Sequence, residues 1–326
     1  YSGTIAHVLL EEAPEGHGRA AGGNVSVLSP PIAAPPPSAE GVAQKGLVWQ
    51  FAGQGTLSAG VLKELFETEP CYREALAACD VILKTHIGFG ATELLYRVST
   101  DSSISDAQAE GMLSETRYSQ AILVSLEYSL SQVWLSRGVR PSAVMGHSLG
   151  EYAACVVAGV LSLEDCLRVV CERGRLMQES EACVGCMVAV RSTAADVLAA
   201  VEEVGASSEV SLAAVNGARS VVVSGSQEGV DKVLRSSVLS GSRHRALKVS
   251  RAFHSPLMSS ISDEFEKVLL SVEFRRPVMR MISTVTGGYV SEELTSPSYW
   301  LQHMLQPVLY QAAVEFAIAN ESRSAG

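Results

Sequence analysis

A chain of 326 residues with 47% apolar and only 18% charged side chains can bury a large core and is longer than one ordinary domain needs, which excludes a mainly disordered protein. Its net charge of −10 excludes a broadly basic phosphate-binding face, so no nucleic-acid partner is expected. No apolar run reaches the roughly 18 residues of a membrane span and no basic-then-apolar leader opens the chain, so no membrane partner is expected either.

The chain starts at Tyr1 rather than Met, as a segment of a longer protein does. Residues 1–13, YSGTIAHVLLEEA, read as a strand with an acidic tail. Residues 14–46 hold six of the twelve prolines among Ala, Gly and Ser, a composition that cannot bury a core and favours extended polyproline conformation; this is a linker. From residue 47 to 181 short apolar runs alternate with long helical patterns: LVWQFAG as a strand ending in a Gly-rich loop, 61–82 and 114–137 as helices, RPSAVMGHSLG as strand, turn and helix start. Such alternation implies an α/β fold built on a parallel, helix-covered sheet. Residues 182–250 read strand, helix, strand, strand, helix, strand, the order of a ferredoxin-like subdomain inserted into the larger one, which resumes at 251 and runs to 326. The seven cysteines, mostly within helical patterns, read as small core residues in a reducing intracellular compartment. Cys183 and Cys186 form a lone CxxC with no second pair, so no metal is expected.

Gly146-His147-Ser148-Leu149-Gly150 lies between an apolar run and an amphipathic helix. Gly-x-Ser-x-Gly at such a junction is a nucleophile elbow: the small residues allow a sharp turn that presents the Ser148 Oγ, while the helix N-terminus aims the Leu149 N–H at a developing oxyanion. The plain alternative is a Gly-rich strand–helix turn. A serine nucleophile needs a base. Of seven histidines, His254 in SRAFHSPLM sits where the chain returns from the small module to the large one, facing the cleft between them. The competing reading is an exposed hinge histidine. The helix over 162–180 opens with a Ser162/Asp165 cap and places Leu163, Cys166, Leu167, Val170 and Met177 on one face, with Arg168 and Arg175 opposite. Arg173 falls about 20° from Cys166, inside the apolar arc. A guanidinium aimed inward needs a partner, either a protein carboxylate or the carboxylate of a substrate.

FAGQG, GHSLGEYAA, RGRLM, AVNGARSVVVSG and AFHSPLM occur in this order and at these spacings from about Gly46 to Glu315. Together they resemble the acyltransferase domain of type I polyketide and fatty acid synthases, the malonyl-CoA:acyl carrier protein transacylase family. SGTIAHVLLEEAP is similar to the last strand of a ketosynthase domain, where GTNAHVILEEAP is typical, so a covalently linked ketosynthase is expected in the parent chain. The resemblance implies an α/β-hydrolase-like large subdomain and a ping-pong mechanism without bound cofactor. Ser148 takes the acyl group from malonyl-CoA and passes it to the phosphopantetheine thiol of an acyl carrier protein. His254 is its base, oriented by a backbone carbonyl rather than an Asp. Gln54 matches the oxyanion-loop glutamine whose backbone N–H pairs with that of Leu149, and Arg173 the arginine that grips the free malonyl carboxylate. Gln120 matches a site-lining glutamine; Asn216 is a support residue, and His147 neighbours the nucleophile in the substrate site. Methylmalonyl members commonly show YASH and GHSQG, malonyl members HAFH and GHSVG or GHSLG. RAFH and GHSLG here favour malonyl, with Phe253 filling the space of a 2-methyl group. Arg251 departs from the usual His, and an inward cation there could alter extender selection. The alternatives are a methylmalonyl-selective transferase, an esterase or thioesterase using the same Ser and His, and a silent docking domain.

Overall fold

A computed structural model describes residues 43–55, 57–97 and 104–321. The strand expected over 1–13 and the linker up to residue 42 lie outside the described residues. The first strand, β1 (Gln44–Phe51), begins inside the expected linker, because the Gln44 N–H donates to the Arg140 carbonyl at 2.9 Å and so joins the chain to the neighbouring strand. Five helices follow: α1 (Lys63–Thr68), α2 (Pro70–Ile87), α3 (Ala91–Tyr96), α4 (Asp106–Ser114) and α5 (Thr116–Ser136). The single helix expected over 61–82 is broken before Pro70, which lacks an N–H and serves as the first residue of α2.

β2 (Pro141–Gly146), α6 (Gly150–Val157) and α7 (Leu163–Glu179) come next. β3 (Cys186–Val190), α8 (Ala194–Glu203), β4 (Val210–Gly217), β5 (Ser220–Gly225), α9 (Gln227–Leu234) and β6 (His244–Ala246) form the small module. α10 (Ser262–Leu269), β7 (Arg280–Ile282), β8 (Tyr289–Val290), α11 (Pro297–Leu305) and α12 (Tyr310–Glu321) complete the chain. The large sheet has the order β1-β2-β7-β8, parallel except for β8. The small sheet is antiparallel with the order β4-β5-β3-β6 and its own core of Val188, Val190, Val223 and Val230. This is the ferredoxin-like arrangement beside an α/β-hydrolase-like sheet.

β2 is buried along its whole length, as a central parallel strand must be. Its alternation splits the two faces: Ala143 and Met145 pack under Ala313 and Ala317 of α12, while Val144 joins the main core with Phe51 and Met281. The expected Ser162 cap is present, accepting from the Asp165 N–H at 3.0 Å, and Cys166, Leu167, Val170 and Met177 of α7 are buried. Full burial of each such apolar side chain contributes about 1.5–3 kcal/mol. The small sheet is stitched to the segment between α11 and α12 by the Val215 N–H to the Val308 carbonyl at 2.8 Å and the Val308 N–H to the Ala213 carbonyl at 2.9 Å. That seam carries Gln306 to the point where the chain leaves the small module at His254. No helix of the described residues is long and apolar enough to cross a membrane.

Candidate active site

Ser148 occupies the turn between β2 and α6, and its own backbone carries the distortion, with φ +49°. An L-residue in this region costs roughly 1–3 kcal/mol and persists only where its surroundings over-determine it. The two elbow glycines are required for space instead. A Cβ on Gly146 would lie 2.1 Å from the Glu151 nitrogen, and one on Gly150 would lie 2.4 Å from the Phe51 carbonyl oxygen at the end of β1. Gly150→Ala is therefore expected to destabilise the fold by about 3 kcal/mol, read as a lowered melting temperature. Gly241→Ala, whose Cβ would meet nothing within 4 Å, stays within about 0.5 kcal/mol of the parent. Equal melting temperatures for the two variants would refute this close backbone contact.

His254 is also left-handed, at φ +56°, and is 4% exposed, so it is no open hinge residue. Its Nε2 lies 2.7 Å from the Ser148 Oγ, and its Nδ1 lies 2.9 Å from the Gln306 carbonyl oxygen. A carbonyl only accepts, so Nδ1 carries the hydrogen and Nε2 presents its lone pair to the serine. Burial, and then the positive charge of Arg173, push His254 down to about 3. The ring is thus neutral at neutral pH, the form that accepts a proton.

Arg173 is 2% exposed, and among the described residues no carboxylate pairs with it. Its Nη1 donates to the Gln120 Oε1 at 2.5 Å, its Nε is buried without a partner, and its guanidinium carbon sits 5.9 Å from the Tyr152 ring centre. The protein-carboxylate reading of this arginine is thereby overturned. Gly174 explains the close approach of the helices: a Cβ there would lie 2.8 Å from the Thr116 carbonyl oxygen at the start of α5. Thr116 Oγ1 then accepts from Gln120 Nε2 at 2.8 Å and from Gln54 Nε2 at 3.1 Å. Gln54 also donates to the Ser119 Oγ at 3.0 Å. One hydrogen-bonded row thus runs from the loop after β1 to the buried guanidinium. Among the described residues, no acceptor takes the backbone N–H of Gln54 or Leu149.

The other expected site residues divide. His147 Nε2 pairs with the Asn216 Oδ1 at 2.8 Å, a contact between the elbow and β4 that commits this ring to Asn216. Phe253 is 8% exposed and belongs to the main apolar core. Arg251 does not aim a free cation at the substrate site. Its Nε donates to the Met177 carbonyl at 2.7 Å and its Nη2 to the Gln178 carbonyl, so the guanidinium clasps the C-terminal end of α7, where a helix dipole favours positive charge. All seven cysteines, Cys183 and Cys186 included, are free thiols, and no cluster of metal-ligating side chains occurs among the described residues.

Three buried titratable residues escape the sequence reading. Glu127 takes the Ala52 N–H at the exit of β1, and burial holds its carboxyl well above the usual range. Its signal is a lone acid inside the apolar run AILVSLEYSL. Glu151, one helical turn after the nucleophile, is fully buried and accepts from the Thr284 N–H at 2.6 Å and the Tyr299 hydroxyl at 2.7 Å. His303 Nε2 lies 3.0 Å from the Ser148 carbonyl oxygen, a contact across 155 positions that no local pattern announces.

A strand–helix serine beside a buried histidine, on this pair of sheets, is the frame of a serine acyltransferase. Residues 48–325 match the family model described as acyl transferase domain, and the chain belongs to that family. It is similar to polyketide synthase GfsB of Streptomyces halstedii, 39% identical over 286 residues, which are 86% of this chain and 5% of that protein. It is also similar to the mycoketide-CoA synthase of Mycobacterium tuberculosis, 38% identical over 83% of this chain and 6% of that protein. The chain thus spans about one twentieth of the length of these curated relatives. Among solved structures, the acyltransferase domain from the second module of the salinomycin polyketide synthase matches with TM-score 0.75 and 33% identity, covering 86% of this chain and 62% of that one. Malonyl-CoA:acyl carrier protein transacylase from Xanthomonas oryzae matches with TM-score 0.75 and 28% identity, covering 85% of each chain.

Proposed function

We propose that this chain is the acyltransferase domain of a polyketide synthase, loading malonyl units from malonyl-CoA and delivering them to the phosphopantetheine thiol of an acyl carrier protein. The observation that carries this reading is a dyad with Ser148 Oγ 2.7 Å from His254 Nε2, close enough to the buried Arg173 to feel its charge, an arginine that no carboxylate among the described residues neutralises. Ser148 Oγ attacks the thioester carbonyl while His254 Nε2 takes its proton. The oxyanion rests on the unclaimed N–H groups of Gln54 and Leu149. The C–S bond breaks, His254 returns the proton to the leaving CoA thiolate, and the malonyl ester of Ser148 remains. The carrier thiol then attacks that ester, giving its proton to His254, which passes it back to the Ser148 Oγ as the serine leaves. The malonyl carboxylate sits on Arg173, whose row of hydrogen bonds through Gln120 and Thr116 fixes the distance between clamp and oxyanion loop. Phe253 excludes a 2-methyl group. His147 and Asn216 support the elbow from the small module.

Similarity to a malonyl-CoA:acyl carrier protein transacylase and to polyketide synthases supports the substrate and the carrier partner; the resemblance of residues 2–14 to a ketosynthase strand supports a linked ketosynthase, and the seven free cysteines a reducing intracellular setting. Incubation with malonyl-, methylmalonyl- or acetyl-CoA, read by intact mass and peptide mapping, tests it. A malonyl-sized increment on Ser148 from malonyl-CoA alone is expected. A methylmalonyl increment of equal yield would overturn the role of Phe253. CoA release with no covalent adduct would identify a hydrolase.

A further inference from the structure

We propose that Glu151 and His303 are positioning residues for the nucleophile, together holding the two peptide carbonyls that bracket the strained Ser148. The proposal rests on the assignment of Ser148 as nucleophile and adds a second layer of residues beneath it.

At φ +49°, Ser148 needs outside restraint, and two carbonyls of the elbow, that of Gly146 and its own, receive it from distant segments. Behind the elbow, the Gly146 carbonyl faces the Thr284 hydroxyl at 3.2 Å. In front, the Ser148 carbonyl faces His303 Nε2 at 3.0 Å. A carbonyl only accepts, so His303 carries its hydrogen on Nε2, and its Nδ1 is left as a buried lone pair without a partner. Its ring is fixed edge-on to Tyr152, centres 5.4 Å apart, and against Trp300 at 5.5 Å. Glu151 lies beside both contacts: its Oε1 is hydrogen-bonded to the Thr284 Oγ1 at 2.5 Å, and its Oε2 packs 4.0 Å from the His303 Nε2.

Thr284 has one hydroxyl hydrogen and two oxygens to serve. If Glu151 were ionised, that hydrogen would go to the carboxylate and the Gly146 carbonyl would lose its donor. A neutral Glu151 donates to the Thr284 Oγ1, which releases the threonine hydrogen to the Gly146 carbonyl. Burial pushes Glu151 up to about 7 and holds His303 well below its ordinary value, which favours a neutral pair over an ion pair. The Tyr299 hydroxyl, bridging Glu151 Oε2 at 2.7 Å and the Ser283 Oγ at 2.6 Å, fixes the other end of the carboxyl. The serine is therefore held from both sides, by Thr284 backed by Glu151 on one and by His303 on the other, rather than by its own helix alone.

The test uses amide mimics. Glu151→Gln keeps a donor toward Thr284, and His303→Gln keeps a donor near the Ser148 carbonyl; Glu151→Ala and His303→Leu remove them. The expected result is a loss of roughly 10–100-fold in the rate of Ser148 acylation for Ala and Leu. KM for malonyl-CoA stays within about twofold, and both Gln variants recover most of the rate. Labelling by a small fluorophosphonate, which needs only the nucleophile, falls in parallel. Wild-type acylation in His303→Leu, or Gln variants as slow as the truncations, would overturn the proposal; if Glu151→Ala does not fold, the His303 pair decides alone. Failure of the underlying assignment has a different signature, labelling that persists in Ser148→Ala.

Discussion

Ser148→Ala is expected to abolish covalent loading from malonyl-CoA, His254→Ala to slow it by roughly 10⁴–10⁶-fold, and the double variant to be no slower than the single ones. The reason is geometric. Ser148 Oγ and His254 Nε2 stand 2.7 Å apart and act as one unit, so removing either removes the whole of nucleophilic activation. His254 is oriented by the Gln306 carbonyl at 2.9 Å instead of by a carboxylate. That contact fixes the tautomer but does not raise the basicity of the ring as an anion would. Burial and the Arg173 charge, moreover, hold His254 low, at about 3, and a carboxylate substrate that neutralises Arg173 relieves part of that depression at the moment a base is needed. Rates of CoA release and of acyl-enzyme appearance check the prediction. A double variant slower than either single one by the product of their losses would mean that the two side chains act separately.

What could be read from the sequence was whatever a short window contains. The Ser148 elbow is five consecutive residues in a strand-to-helix context, and its location needed no tertiary information. Arg173 was visible because helical period alone puts it among Cys166, Leu167 and Val170. Its partner was not, because Gln120 lies 53 positions away and meets it only through the close helix contact that Gly174 permits. His254 could be placed near a cleft but not oriented, since the Gln306 carbonyl reaches it through the seam between β4 and Val308. Arg251 was misjudged for the same reason: a charge near a site reads as a charge in the site until its acceptors, the last carbonyls of α7, are known. Pro70 carried the helix break in plain view, but a long apolar period over 61–82 masked it. The glycines of the elbow make the room for a sharp turn that the sequence suggested, but that Ser148 itself takes the left-handed conformation was not legible there.

Arg173→Ala separates clamp from catalyst. Malonyl loading is expected to fall by roughly 10²–10³-fold, as loss of a buried charge partner worth about 3–4 kcal/mol requires. Acetyl loading should rise, for two reasons that share one cause. In the parent, an acetyl group leaves the guanidinium buried beside a methyl group with its charge unanswered, a costly arrangement. The same charge depresses His254, so its removal returns basicity to the ring. Among the described residues Arg173 has no carboxylate that its removal would strand, and Gln120 keeps its second contact through Nε2 to Thr116 at 2.8 Å. The oxyanion loop, tied to Thr116 through Gln54, should therefore stay in place, and the loss should fall on recognition. Arg173→Gln, which fills more of the vacated volume, should show the same reversal of preference with a smaller change in melting temperature. Competition between malonyl- and acetyl-CoA, read as the ratio of the two adducts on Ser148, reports the effect independently of how much protein is active. A ratio unchanged from the parent would remove the carboxylate clamp from Arg173 and leave it a structural cation bonded to Gln120.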